Sequence, residues 1–267
     1  MSRYVLLFAV FASMFCSPAL AERINYSTSW VTGEPIAELD KPLPAIGEEA
    51  GIKHGDIAMA ARLYPQEIAY LAAQIVDGDG DELAPAGSEL YALRTNSGKA
   101  FCLTGSQKIS AFASAMLGDS GAKQTCFVDG DGNGTFESFF TARSSVRGVP
   151  NFTGRTSKKP KLIVETRYET KPIENMQAIF FVALEYRGNT NLQGNHIFET
   201  IFGSGSTKEN LTSRMVIKAG ELPAQVNFLG GQFELLEGGG NSATIRVVKP
   251  VERRPFDVLR SVSYRFY

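Results

Sequence analysis

Apolar residues fall in short runs separated by Gly, Pro, Asn and Asp along this chain, a pattern that favours strands and turns over long helices. Between Asp56 and Leu63 the apolar positions are Ile57, Met59, Ala61 and Leu63, which predicts a half-buried strand. Glu89–Arg94 and Lys99–Leu103 flank the turn signal Asn96-Ser97-Gly98 and predict a strand pair. In the second half, six strand-length runs lie between turn residues: Ala178–Tyr186, Ile197–Phe202, Arg214–Lys218, Gln225–Leu229, Gln232–Leu236 and Thr244–Val248. If Gly230-Gly231 is a two-residue hairpin turn, Phe228 stands opposite Phe233, Val226 opposite Leu235 and Asn227 opposite Glu234, so one face is apolar. Residues 22–50 are rich in Pro and polar side chains and predict only short strands, around Ile24–Tyr26 and Trp30–Val31.

Helical periodicity is scarce. Residues 68–75 fit both templates: Ile68, Leu71, Ala72 and Ile75 share a helical face behind Pro65, while Ile68, Tyr70 and Ala72 fit a strand. Ser110–Leu117 predicts a short helix stopped by Gly118. The fold class is therefore mostly β: a β-sandwich or two packed antiparallel β modules with at most one or two short helices. Residues 143–161 carry Arg143, Arg147, Arg155, Lys158, Lys159 and Lys161 without an acidic residue, and Gly148, Pro150, Gly154 and Pro160 interrupt them. This stretch predicts a division into an N-terminal mainly-β region (22–145) carrying the disulfide and an acidic hairpin, a basic linker or loop (146–161), and a C-terminal antiparallel β region (162–267).

One segment departs from the strand pattern. Arg3, the apolar run Tyr4–Phe15 and the small residues of Pro18-Ala19-Leu20-Ala21 read as a secretory signal peptide over residues 1–21, cut after Ala21. The run is too short for a membrane span, which needs about 18–20 residues, and no other segment is apolar enough. The expectation is a secreted or periplasmic protein with no transmembrane span once the signal is removed. That changes how the cysteines read. With Cys16 in the signal, Cys102 and Cys126 are an even pair in an oxidising compartment and predict a disulfide. They lack the Cys-x-x-Cys spacing of redox-active pairs.

The charge balance excludes little but argues against nucleic acid. The chain has 27 basic and 28 acidic side chains, and losing Arg3 takes the net charge from −1 to −2. The basic stretch at 143–161 is the local exception, a candidate contact for an anionic envelope polymer or an envelope protein.

The densest chemistry lies in Asp129-Gly130-Asp131-Gly132-Asn133-Gly134-Thr135-Phe136-Glu137. Calcium takes six to eight oxygen ligands, and oxygen-bearing side chains at every second residue of a glycine-rich turn can converge on one ion. The run resembles the first half of an EF-hand calcium loop. That resemblance makes Asp129, Asp131 and Asn133 the first side-chain ligands, Gly134 the sharp turn, Thr135 the carbonyl ligand and Glu137 the water-linked ligand. Phe140 stands where that family has its bidentate Glu, and the flanks read as strands, so the expectation is a lone calcium-binding turn between two strands. Asp77-Gly78-Asp79-Gly80-Asp81-Glu82 is a weaker copy. Gly118-Asp119-Ser120-Gly121 is similar to the nucleophile segment of trypsin-like serine proteases, but Ala122 and the context of His54 depart from that family. The final residues, Val262–Tyr267, predict a closing strand of a soluble sheet. With two histidines in the chain, a zinc site is not expected. Two functions remain: a non-catalytic envelope or extracellular binding or structural module, calcium-stabilised, or a hydrolase acting on an envelope polymer through Asp129, Asp131 and Glu137.

Overall fold

The computed structural model describes residues 23–36, 43–105, 122–144, 153–156, 158–189, 194–205 and 207–256. The expected signal at 1–21, the helix at 110–117, Ser120 and the strand at 262–267 lie outside the described residues. Of the basic stretch, 143–144, 153–156 and 158–161 are described. The regular structure is almost wholly strand, and two single-turn helices, Ile173–Asn175 and Ala219–Glu221, are the only helical elements among the described residues.

Strands are numbered in chain order. Six of them form a sheet that closes on itself: β5 (Ile68–Leu71), β8 (Glu89–Thr95), β9 (Lys99–Leu103), β10 (Ala122–Asp129), β11 (Thr135–Ser144) and β13 (Lys161–Lys171). Each pairs antiparallel with the next, and β13 returns to β5 through Tyr168↔Leu71 and Lys171↔Ile68. Closure removes free edges, and inward positions alternate with outward ones along every strand. The inward side chains are large: Phe101, Phe127 and Phe136 are fully buried there. Tyr168 stacks on Phe136 with centroids 4.4 Å apart. A hairpin of β6 (Ile75–Val76) and β7 (Glu82–Ala84) joins β5 to β8, and β1 (Asn25–Ser27) with β12 (Thr153–Arg155) extends the sheet beyond β8.

The outward residues of the barrel, among them Tyr91, Leu93, Cys102, Cys126, Val128 and Phe140, belong to the main core. They share it with a second sheet, ordered β16 (Thr207–Ile217), β15 (His196–Ser204), β14 (Phe180–Asn189), β4 (Ile57–Pro65), β2 (Trp30–Thr32) and β20 (Pro255–Phe256). A third sheet runs β17 (Ala224–Phe228), β18 (Gly231–Gly239), β19 (Ser242–Lys249) and β3 (Glu49–Lys53). Trp30 sits at the joint, its ring centroid 5.6 Å from Tyr91 and 5.3 Å from Phe180. Cys102 and Cys126 stand directly opposite each other in β9 and β10, fully buried, and form the expected disulfide with Cα atoms 3.9 Å apart. A disulfide of this kind belongs to an oxidising compartment.

Several sequence expectations change in detail. Residues 68–71 take the strand alternative, with Ala69 and Leu71 inside the barrel and Ile68 and Tyr70 outside it. The strand over Asp56–Leu63 is buried on both faces rather than one, because Ala60 on its second face packs under Ile36, Phe181 and Ile201. The hairpin turn is Leu229-Gly230, with φ of 49° and 81°, and not Gly230-Gly231. Val226 therefore pairs with Phe233, Ala224 with Leu235 and Asn227 with Gln232. This register moves each partner by two residues, so the apolar face is kept. Gly231 is needed for space: a Cβ there would lie 2.6 Å from Met59 Cε and 2.8 Å from the Val251 nitrogen. Strands from both sides of residues 146–161 share all three large sheets, as in β5–β13, β4–β14 and β3–β19.

His196 lies where the second and third sheets meet. It is fully buried, its Nδ1 is 2.8 Å from the Tyr186 hydroxyl, and its Nε2 has no partner. Gly238 of β18 approaches so closely that a Cβ would stand 2.2 Å from the ring. Burial holds the imidazole below the usual histidine value, so the native state resists the proton that the unfolded chain accepts. Stability is therefore full above pH of about 6.5 and falls as pH drops below it, since the unfolded state then binds more protons. Urea midpoints measured from neutral to mildly acidic pH should show this fall, and His196→Gln should flatten it. An unchanged slope in the variant would assign the acid sensitivity to other groups.

Candidate functional site

The acidic loop is the connection between β10 and β11 at one end of the barrel. Asp129 ends β10 facing inward, opposite Lys99 of β9, and is completely buried. Its carboxylate organises the turn. Oδ1 accepts N–H bonds from Gly132 (2.6 Å) and Asn133 (3.1 Å), and Oδ2 accepts from the Gly134 N–H (3.1 Å) and the Tyr168 hydroxyl (2.7 Å). Four donors use the acceptor sites an ionised carboxylate offers. The turn folds this way because Gly132 and Gly134 take positive φ, 77° and 86°, which brings successive N–H groups to face one side chain.

The other expected ligands divide into two groups. Asp131 and Glu137 join Asp129 in a cluster whose ligand oxygens lie within 4.8 Å of one another, and it is the one cluster of three metal-ligating acids, histidines or cysteines among the described residues. Asn133 and Thr135 are tied to the loop itself: Asn133 Oδ1 accepts both the Thr135 N–H (2.8 Å) and its hydroxyl (2.5 Å), and the Asn133 N–H and Nδ2 reach Asp131 (both 3.1 Å). The weaker copy at 77–82 gathers no such cluster. Asp77 Oδ1 accepts the N–H groups of Asp79 and Asp81 (3.0 Å each) and closes the β6–β7 turn.

Glu137 is the unusual member. Its Oε2 accepts the Gly130 N–H at 3.0 Å, while Oε1 is buried with no hydrogen-bond partner. Burial raises its pKa above the ordinary carboxylate value, and the charges of Asp129 and Asp131 push the same way. Two carboxylate charges within 4.8 Å of each other repel by about 3 kcal/mol or more at an effective dielectric constant of about 20. A proton on Glu137 relieves that repulsion, and so does a divalent cation. The arrangement can therefore hold a hard cation through oxygen ligands.

Tyr168 was not legible as part of this site. It reaches Asp129 from β13, 39 residues away, because Arg167 pairs with Thr135 and so sets the next inward residue over the loop. Its phenol is pushed far above the usual tyrosine value, first by burial and then by its bond to Asp129. Only the β11–β13 register carries this information, and neither strand announces its partner in sequence.

The fold and loop define a class: antiparallel all-β proteins in which a closed sheet packs on open ones and carries an acidic turn on its rim. Comparison with known protein families, curated proteins and solved structures finds no match.

Proposed function

We propose that this is a non-catalytic secreted or periplasmic module of the cell envelope or extracellular space, whose barrel rim is organised by calcium at Asp131, Glu137 and Asp129. The observation that carries the reading is the buried, unpartnered Oε1 of Glu137 beside two further carboxylates. A buried acceptor without a donor costs about 1–3 kcal/mol, and a cation is the partner that also cancels the repulsion around it. Ligation by Asp129 would turn the Tyr168 hydroxyl aside, since that donor can rotate while the three backbone N–H groups are fixed. The Thr135 carbonyl, Asn133 and water would complete the shell. A shell only partly furnished by the protein belongs to the weak extracellular class, with dissociation constants of about 10⁻⁴ to 10⁻³ M. The disulfide supports a compartment outside the reducing cytoplasm.

The arrangement favours this over the hydrolase reading. Glycosidase carboxylates act from opposite sides of a scissile bond with room for substrate between them, whereas these three crowd onto one turn and Asp129 is saturated by donors. The test is a pair of thermal melts of the oxidised protein, one with millimolar calcium and one with chelator. At a hundredfold excess over the dissociation constant, calcium should add about 2.7 kcal/mol, and Glu137→Gln or Asp131→Asn should remove the difference. Superimposable melts of the unmodified protein would leave the loop as a polar turn alone.

A further inference from the structure

A second set of charged residues stands at the same end of the barrel. Between Thr28-Ser29 and Gln66-Glu67 the chain crosses twice between the closed sheet and the second sheet, from β1 to β2 and from β4 to β5. Both crossings leave β8, which pairs with β5 as far as Tyr91 and with β1 only from Arg94. The gap is a cleft of about 460 Å³ with Ser29, Gln66 and Glu67 on one wall and β8 and β9 on the other. That is within the range of small-molecule sites, and barrel mouths are among their usual places.

The cleft's chemistry follows from register. Ala92 pairs with Phe101 and Arg94 with Lys99, so all four share the inward face, the apolar pair deeper and the two cations at the lip. Like charges directly opposite on neighbouring strands destabilise a sheet, and here the compensation is thin. Lys99 Nζ reaches Glu67 at 3.4 Å, with Lys99 more than half exposed, and the carboxylate of its cross-strand neighbour Asp129 is taken up by its own loop and by Tyr168. Arg94 gives its Nε to the neutral amide of Gln66 at 3.3 Å, and its terminal guanidinium nitrogens bond to no described residue. A guanidinium fork beside an ammonium, above the half-buried Ala92, fits a carboxylate with a compact apolar body. The single negative wall residue, Glu67, disfavours a doubly charged phosphate. We infer that this cleft binds a small organic carboxylate, its anionic end between Arg94 and Lys99 and its body against the half-buried Ala92. The site borders the acidic loop, since Lys99 pairs with Asp129, but none of its lining residues supplies an oxygen to the cation.

The test uses the full oxidised chain and benzoate as the probe, followed by amide chemical shifts in chelator. Benzoate should shift Ala92, Arg94 and Lys99 saturably at millimolar concentration, and neutral benzamide should not. Arg94→Gln should weaken binding about tenfold, as expected for losing a charge-assisted bond. Glu67→Gln should tighten it, because the wall carboxylate competes for Lys99. The proposal fails if benzoate gives no saturable shifts, if benzamide binds equally well, or if Glu67→Gln weakens binding, which would point to a zwitterion held by Glu67.

Discussion

Replacing Asp129 with alanine is expected to destabilise the protein by about 3–5 kcal/mol, among the largest effects a single substitution produces. The side chain is completely buried and accepts four hydrogen bonds, three from consecutive backbone N–H groups and one from Tyr168. Alanine leaves those donors without an acceptor. Each orphan costs about 1–3 kcal/mol while it stays buried, and the loop recovers part of that by opening to water. Asparagine repairs little, since its amide offers one acceptor oxygen and turns a donor toward the other N–H groups. Asp131 makes a contrast from the same loop: it is exposed, so without calcium Asp131→Asn should fall within about 0.5 kcal/mol of the unmodified protein. Urea denaturation in chelator measures both. A loss below about 1 kcal/mol for Asp129→Ala would mean that the hydrogen bonds do not hold the turn.

Opening the Cys102–Cys126 disulfide is the second large effect. The cysteines are 24 residues apart in sequence, and in the chain-entropy account cross-linking a loop of that length stabilises by roughly 3.5 kcal/mol. Both sulfurs lie in the core between the barrel and the second sheet. The double replacement Cys102→Ala with Cys126→Ala therefore adds a packing defect to the lost cross-link. Reduction of the native protein isolates the first term, and the double variant gives the sum. Equal denaturation midpoints for oxidised and reduced protein would show that the loop is already ordered in the unfolded ensemble.

Local pattern foretold where most strands lie but not how they join. Turn residues bounding strand-length apolar runs located β8, β9 and the six runs of the second half, and this signal survives even where, as in β14, both faces are buried. Strand β4 was misjudged in burial, since alanines at its second face leave no hydrophobic signal even when packed under Phe181. The barrel was not legible, because its closure depends on β5 pairing with both β8 and β13, the latter across about a hundred residues of chain. The hairpin turn lies one residue before the glycine pair, which moves each cross-strand partner by two, because a dipeptide of glycines looks like the turn itself whereas the second glycine is required for space beside Met59 and Val251. At the loop, the alternation of Asp129, Asp131 and Glu137 was readable because the ligands are local. The saturation of Asp129 and the contribution of Tyr168 were not, because both arise from folding the turn onto a distant strand.

A divalent cation held at the barrel rim between Asp131, Glu137 and Asp129, as proposed, can be probed with terbium(III), because it takes the same hard oxygen ligands as calcium and luminesces when an excited aromatic ring lies beside it. Tyr168, hydrogen-bonded to Asp129, is that ring. Excitation of the protein should give saturable terbium emission that calcium displaces, that Glu137→Gln abolishes and that Tyr168→Phe greatly weakens. No sensitised emission from the unmodified protein, or emission unchanged in Glu137→Gln, would contradict the claim.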